Sequence, residues 1–257
     1  MSGSVAVHIR STSQADDLGL IALRDVCVAA GRAVQADYRI IGGHMVRLLT
    51  HVYGRVPEAP RLTADADAGI NEPVAAGGVL GSHLEEVGYR QEFSNRYVRA
   101  VPVGDAAVDL LVPAAASAGP QELGGNQFDA APGLRLALAA PAVIVEVSAW
   151  LSTGEEVACT AVVPDLEAAV VLKLLATTVR SVPKDIADLH TLLGILEATD
   201  EPITGPWMLV DPYVCRRGER LDAARAAQRL RGLPPRQVPP HCAALMRKHI
   251  AEVSSRR

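Results

Sequence analysis

Two groups of residues in this chain have types and spacings that could do chemistry. The first opens with the apolar run Tyr38–Ile41, which closes on Gly42-Gly43-His44 and leads into a segment with helical spacing that stops before Gly54. A glycine pair at the mouth of a helix leaves backbone N–H groups free, and these, with the helix dipole, can cradle a phosphate. Arg61-Leu62-Thr63-Ala64-Asp65-Ala66-Asp67-Ala68-Gly69-Ile70 follows. In an extended strand residues 65 and 67 point to one face, about 6.5 to 7 Å apart along the chain. Two carboxylates so placed repel by roughly 2.5 kcal/mol at an effective dielectric near 20. A cation between them turns that repulsion into binding, and a small set of oxygen ligands that leaves room for water suits Mg²⁺ shared with substrate phosphates. The plain alternative is a solvated turn in an Ala/Asp-rich loop.

The second group lies further on. Asp109 sits alone among apolar residues in Ala107-Val108-Asp109-Leu110-Leu111-Val112. A buried carboxylate there needs a partner or a metal, unless it lies on the exposed face of an edge strand. Lys173 interrupts Ala168-Ala169-Val170-Val171-Leu172-Lys173-Leu174-Leu175-Ala176, with apolar neighbours one helical turn away on both sides. Such a lysine either snorkels along the surface or reaches an acidic or phosphate partner. Arg180 follows seven residues later, then Pro183-Lys184-Asp185-Ile186-Ala187-Asp188-Leu189. Pro183 suits the first position of a new helix, on which Asp185 and Asp188 lie one turn apart.

The elements that must position these groups alternate between helical and strand periods, so an α/β (α+β) chain is expected. Apolar spacing predicts helices over residues 12–36, 44–53, 74–87 and 165–180, the third weakened by Gly77, Gly78 and Gly81. Strands are predicted over 38–41, around Asp65 and Asp67, and over 97–101 and 107–112. Residues 142–150 and 157–163 suggest a hairpin with Glu146 facing outward, while the Ala/Gly/Pro-rich stretch 114–140 suggests a long loop. Two domains are expected: a core with an N-terminal helix over 1–163, and a helical region over 164–257 that ends in helices at 219–230 and 241–253.

Composition sets the outer limits. The 257 residues are 49% hydrophobic but only 4% aromatic, so the core must be aliphatic. There is no basic-then-apolar leader and no long uncharged apolar run, which leads to the expectation of a cytoplasmic protein without membrane contact. Cys27, Cys159, Cys215 and Cys242 form no CxxC or Cys/His cluster and are expected as reduced thiols. The net charge of −4 is unevenly spread: residues 214–257 carry eleven Lys/Arg against three Asp/Glu. A basic tail on an acidic body suggests either a polyanionic partner or docking of the tail on the body.

Taken together, Gly-Gly, a helix and Asp-x-Asp resemble the nucleotidyltransferase superfamily. Lys, then Arg seven residues on, then Lys-Asp-x-x-Asp-Leu resembles the C-terminal signature of its AbiEii-like branch, which includes type IV toxins and the MenT-type toxins that act on the 3′ end of tRNA. The matched region spans roughly residues 36–195. The resemblance implies a nucleotidyltransferase-fold mixed sheet flanked by helices. It implies that Gly42 and Gly43 form a phosphate turn with His44 and Arg61 at the nucleotide, and that Asp65, Asp67 and Asp109 hold Mg²⁺ or Mn²⁺. Lys173 becomes the triphosphate-contacting lysine, joined by Lys184, Asp185 and Asp188, the last of these orienting Lys173 or the base. The family places Ser, Thr or Ala after its glycine pair, where this chain has His44, so a hydroxyl contact to phosphate is missing. His190, beside the second group, reads as a helix-surface residue.

The implied activity is metal-dependent transfer of a nucleoside monophosphate from an NTP to an acceptor hydroxyl, with the tRNA 3′ end as acceptor and the chain as the toxin of a pair that includes a cognate antitoxin. A protein or small-molecule acceptor, and a non-catalytic nucleotide-binding module, are the alternatives.

Overall fold

A computed structural model describes residues 3–33, 37–59, 61–114, 119–180, 183–199 and 205–254. It is a mixed α/β protein whose sheets are flanked by helices, as expected. The helix expected over 12–36 is α1, Gln14–Ala33; its expected last three residues lie outside the described ones. Asp16 and Asp17 stand in its first turn, where carboxylates oppose the helix dipole favourably. Both are fully buried. Asp16 pairs with Arg47, and Asp17 accepts from Ser152 N at 2.8 Å and from the Ser152 hydroxyl.

The strand carrying the acidic pair is β3, Asp65–Ile70, and it is central. It runs antiparallel to β2, Tyr38–Ile40, on one side and parallel to β6, Gly104–Pro113, on the other. In that register Asp67 lies opposite Asp109 and Asp65 opposite Ala107. Because strand side chains alternate, Asp65, Asp67 and Asp109 share one face. The sheet continues from β6 to β5, Arg96–Val101, and on to an edge strand β4, Arg90–Phe93, every residue of which is exposed. No apolar alternation marks β4 in the sequence.

A second sheet has three strands. The expected hairpin forms as β9, Ala142–Trp150, and β10, Glu156–Pro164, and β1, Val5–Arg10, adds parallel to β9. Glu146 is exposed on β9 and accepts from the Thr160 hydroxyl at 2.8 Å.

The single helix expected over 74–87 is instead two, α3, Glu72–Gly77, and α4, Val79–Glu86. Gly78 divides them at φ +66°, a left-handed conformation that glycine adopts without cost. The long loop expected over 114–140 is also corrected. Apart from residues 115–118, which lie outside the described ones, it forms β7, Gln121–Leu123, β8, Asn126–Ala131, and α5, Leu134–Ala139. Gly124-Gly125, both at positive φ, turn the β7–β8 hairpin, and β8 pairs in parallel with the end of β6. Strands of three and six residues gain their order from that pairing rather than from their own periodicity.

Beyond the sheets come α6, Leu166–Val179, α7, Pro183–Glu197, α8, Gly218–Arg231, and α9, Pro240–His249. Asp165 caps α6 by accepting from Ala168 N at 2.8 Å. The last helix stops short of the expected residue 253: Ile250 is extended, and Ala251 N donates to Leu209 O at 2.7 Å. Helix α6 packs on α7 and α8 and also touches β10, α5 and α2. No described helix is long and apolar enough to cross a membrane.

Candidate active site

The site begins where β2 turns into α2, Gly42–Val52. Ile41 is extended, Gly42 turns at φ +66°, and no side chain caps the helix. Ile41 N donates to Asp67 O at 2.9 Å, which fixes the start of α2 against the acidic strand. A Cβ at position 42 would overlap the Asp67 carboxylate, so this glycine is required twice, for its backbone angle and for the close approach. Gly43 packs almost as tightly: a Cβ there would lie 3.0 Å from Thr63 Cβ and 3.3 Å from Arg61 Nη2.

Burial, followed by the nearby charges of Asp65 and Asp109, pushes the Asp67 carboxyl up to about 6, against the opposing pull of Lys173 and Arg180. Asp65 accepts from the Thr63 hydroxyl at 2.8 Å. Asp109, expected as the third metal carboxylate, is engaged by Arg96 at 2.6 Å. Burial raises its carboxyl and Arg96 opposes the rise.

Lys173 does not snorkel. Its side chain is 5% exposed, with Nζ 2.8 Å from Asp188 and 3.7 Å from Asp185. Each of these buried carboxylates also holds an arginine: Asp188 accepts from Arg61 Nε at 3.1 Å, and Asp185 from Arg180 Nε at 2.9 Å and Nη2 at 3.2 Å. Three cations are thus arranged around two carboxylates, and the network ties α6, α7 and the approach to β3 together.

The two groups meet in one cavity of about 120 Å³ lined by Gly42, Asp67, Lys173 and Arg180, with apolar walls that include Ile41, Met45 and Leu172. Asp65 and Asp109 sit beside it on the same sheet face without lining it. Gly43 does not line it either, Arg61, Asp185 and Asp188 belong to the network around Lys173 and not to the wall, and two further expected residues belong to neither. Lys184 is exposed in the first turn of α7 and does not line the cavity. His44 is 1% exposed, with its Nε2 against Gly19, and neither ring nitrogen has a hydrogen-bond partner among the described residues. Burial pulls its imidazole down to about 4, so it stays neutral at physiological pH.

Arg96 and the apolar walls were not legible as site components. Arg96 pairs with Asp109 across strands, a relation only the fold creates. Arg180 stands in the sequence signature, and its place in the cavity wall comes from its position as the extended residue that ends α6.

A divalent cation fits this donor set in kind. The three carboxylates offer only hard oxygen atoms, and an added positive charge would offset both the burial and the neighbouring negative charges that raise Asp67. As folded, however, Arg96 occupies Asp109, and among the described residues no three His, Cys, Asp or Glu side chains gather as a metal-ligating group.

No family model matches the chain, and no curated protein matches it. Among solved structures it is similar to an antigenic nucleotidyltransferase-like protein from Paracoccidioides brasiliensis, at 18% identity over 90% of this chain and 94% of that one, with a TM-score of 0.48.

Proposed function

We propose that the chain is a nucleotidyltransferase that moves a nucleoside monophosphate from an NTP to an acceptor hydroxyl, with the tRNA 3′ end as acceptor, and that it acts as the toxin of a toxin–antitoxin pair. The observation that carries the catalytic part is the single cavity shared by Gly42, Asp67, Lys173 and Arg180. The acceptor and the toxin role rest on the sequence resemblance and on the basic segment after residue 213.

In this reading the uncapped N-terminus of α2 holds the phosphates through its free N–H groups. Lys173 and Arg180 neutralise the triphosphate from the opposite wall, and Asp188 positions Lys173. Mg²⁺ or Mn²⁺, held by Asp65 and Asp67 and joined by Asp109 when Arg96 yields it, would supply charge neutralisation at the transferring phosphate. Asp109, beside Asp67 on the next strand, takes the proton of the acceptor hydroxyl as its oxygen bonds to the α-phosphorus, and the α–β phosphoanhydride bond breaks to release pyrophosphate. The Ile41, Met45 and Leu172 walls offer the base an apolar surface.

The test is incubation with each α-labelled NTP, Mg²⁺ and total RNA. Label should appear at RNA 3′ ends with the wild-type chain and be lost with Asp67→Ala. Incorporation by a folded Asp67→Ala variant at the wild-type rate would refute the scheme.

A further inference from the structure

A second concavity, of about 900 Å³, lies between α5 and the segment leading into α8, lined by Arg135, Tyr213, Arg216, Arg217, Glu219 and Arg220 among others. Most of its charges are already committed. Arg135 pairs with Glu72 at 2.6 Å, Arg220 with Glu167 at 2.7 Å, and Glu219 accepts from Gly133 N and Leu136 N at the start of α5. Arg216 and Arg217 are different: both are exposed, and neither has an ion-pair partner among the described residues. Tyr213 is 72% exposed, and the Arg216 guanidinium lies over its ring at 4.3 Å from the centroid.

An exposed aromatic ring backed by a guanidinium, next to a second free arginine, is suited to base stacking and phosphate contact at once. An acidic peptide would use the arginines but has no use for the ring. The place of the groove in the fold adds to this. Residues 130–132 line the first cavity, while Arg135, Leu136 and Ala139, in the same short stretch of chain, line the groove. The groove and the cavity are therefore lined in part from one short stretch of chain, residues 130–139.

We propose that the Tyr213–Arg216–Arg217 groove binds single-stranded RNA, with bases on Tyr213 and phosphates on the two arginines. The proposal rests on the nucleotidyl-transfer reading for the purpose of the bound strand, but its test needs neither NTP nor metal. The measurement is fluorescence anisotropy of a 5′-labelled 12-nucleotide RNA with the full chain across a salt series. Tyr213→Ala should weaken binding roughly 5- to 150-fold, whereas Tyr213→Phe should bind as the wild type does. Arg216→Ala/Arg217→Ala should lower the slope of log K against log salt by about 1.4. Arg90→Ala, an exposed arginine outside the groove, serves as the control.

Equal losses from Arg90→Ala and Arg217→Ala, Tyr213→Phe as weak as Tyr213→Ala, no binding by the wild type, or displacement by polyglutamate as effective as by unlabelled RNA would each overturn it. All positions changed are exposed, and an unchanged Tm confirms that the variants fold. RNA bound in this groove without any nucleotide transfer would defeat the catalytic reading alone, and transfer to RNA indifferent to the groove variants would defeat this one alone.

Discussion

At Asp67 burial and like charge act in the same direction. In the fold Asp67 keeps its proton up to about pH 6, against 3.8 for the ordinary group. The native state therefore binds more protons than the unfolded chain across that window, and stability falls as pH rises through it. Asp67→Asn removes this penalty. It should be more stable than the wild type by on the order of 2 kcal/mol at pH 7, with the advantage gone near pH 3.5, as read by urea denaturation at the two pH values. An equal difference at both would show that the fold does not hold the carboxyl above its ordinary range. Lys173 presents the opposite case, because its charge answers two buried carboxylates. Lys173→Met should cost about 3 kcal/mol in the same assay even though the apolar volume is kept, and a neutral result would mean that Arg61 and Arg180 suffice.

At the scale of elements, the site depends on how β3 meets α2 and on how α5 is held. Gly42→Ala forces a side chain into a left-handed turn and into the Asp67 carboxylate, so a loss of about 1–3 kcal/mol is expected on thermal unfolding, with Asp67 displaced. Glu219→Ala should cost about 1 kcal/mol by freeing the first turn of α5, where Glu219 now satisfies two backbone N–H groups. Much of this arrangement was legible in the sequence. Tyr38–Ile41, the glycine pair and Asp65/Asp67 carry strong local signals, and the helical spacing around Lys173 marked α6. What was not legible is what tertiary pairing creates. The short strand β8 is ordered by β6 and β7 by β8, the exposed strand β4 has no apolar alternation, and β1 shows its role only beside β9. The same holds at the site: the Arg96 contact with Asp109 is a cross-strand relation, and His44 reads as part of the phosphate turn until the fold buries it behind that turn.

At the scale of the whole molecule, two halves of the chain meet at one place: the β3–α2 junction supplies acid and backbone N–H groups, α6 and the residue that ends it supply Lys173 and Arg180, and α7 supplies the carboxylates that hold them. If the acceptor is RNA, incorporation of label should fall steeply as salt is raised, whereas transfer to a small neutral acceptor should change little. The most direct test of the join is calorimetric titration of the four NTPs into the wild-type chain, Asp67→Asn and Lys173→Met, each with and without Mg²⁺. The account predicts that at least one NTP binds the wild type more tightly with Mg²⁺, that Asp67→Asn loses this dependence, and that Lys173→Met binds at least about ten-fold more weakly. Wild-type affinity and Mg²⁺ dependence in both folded variants would contradict it.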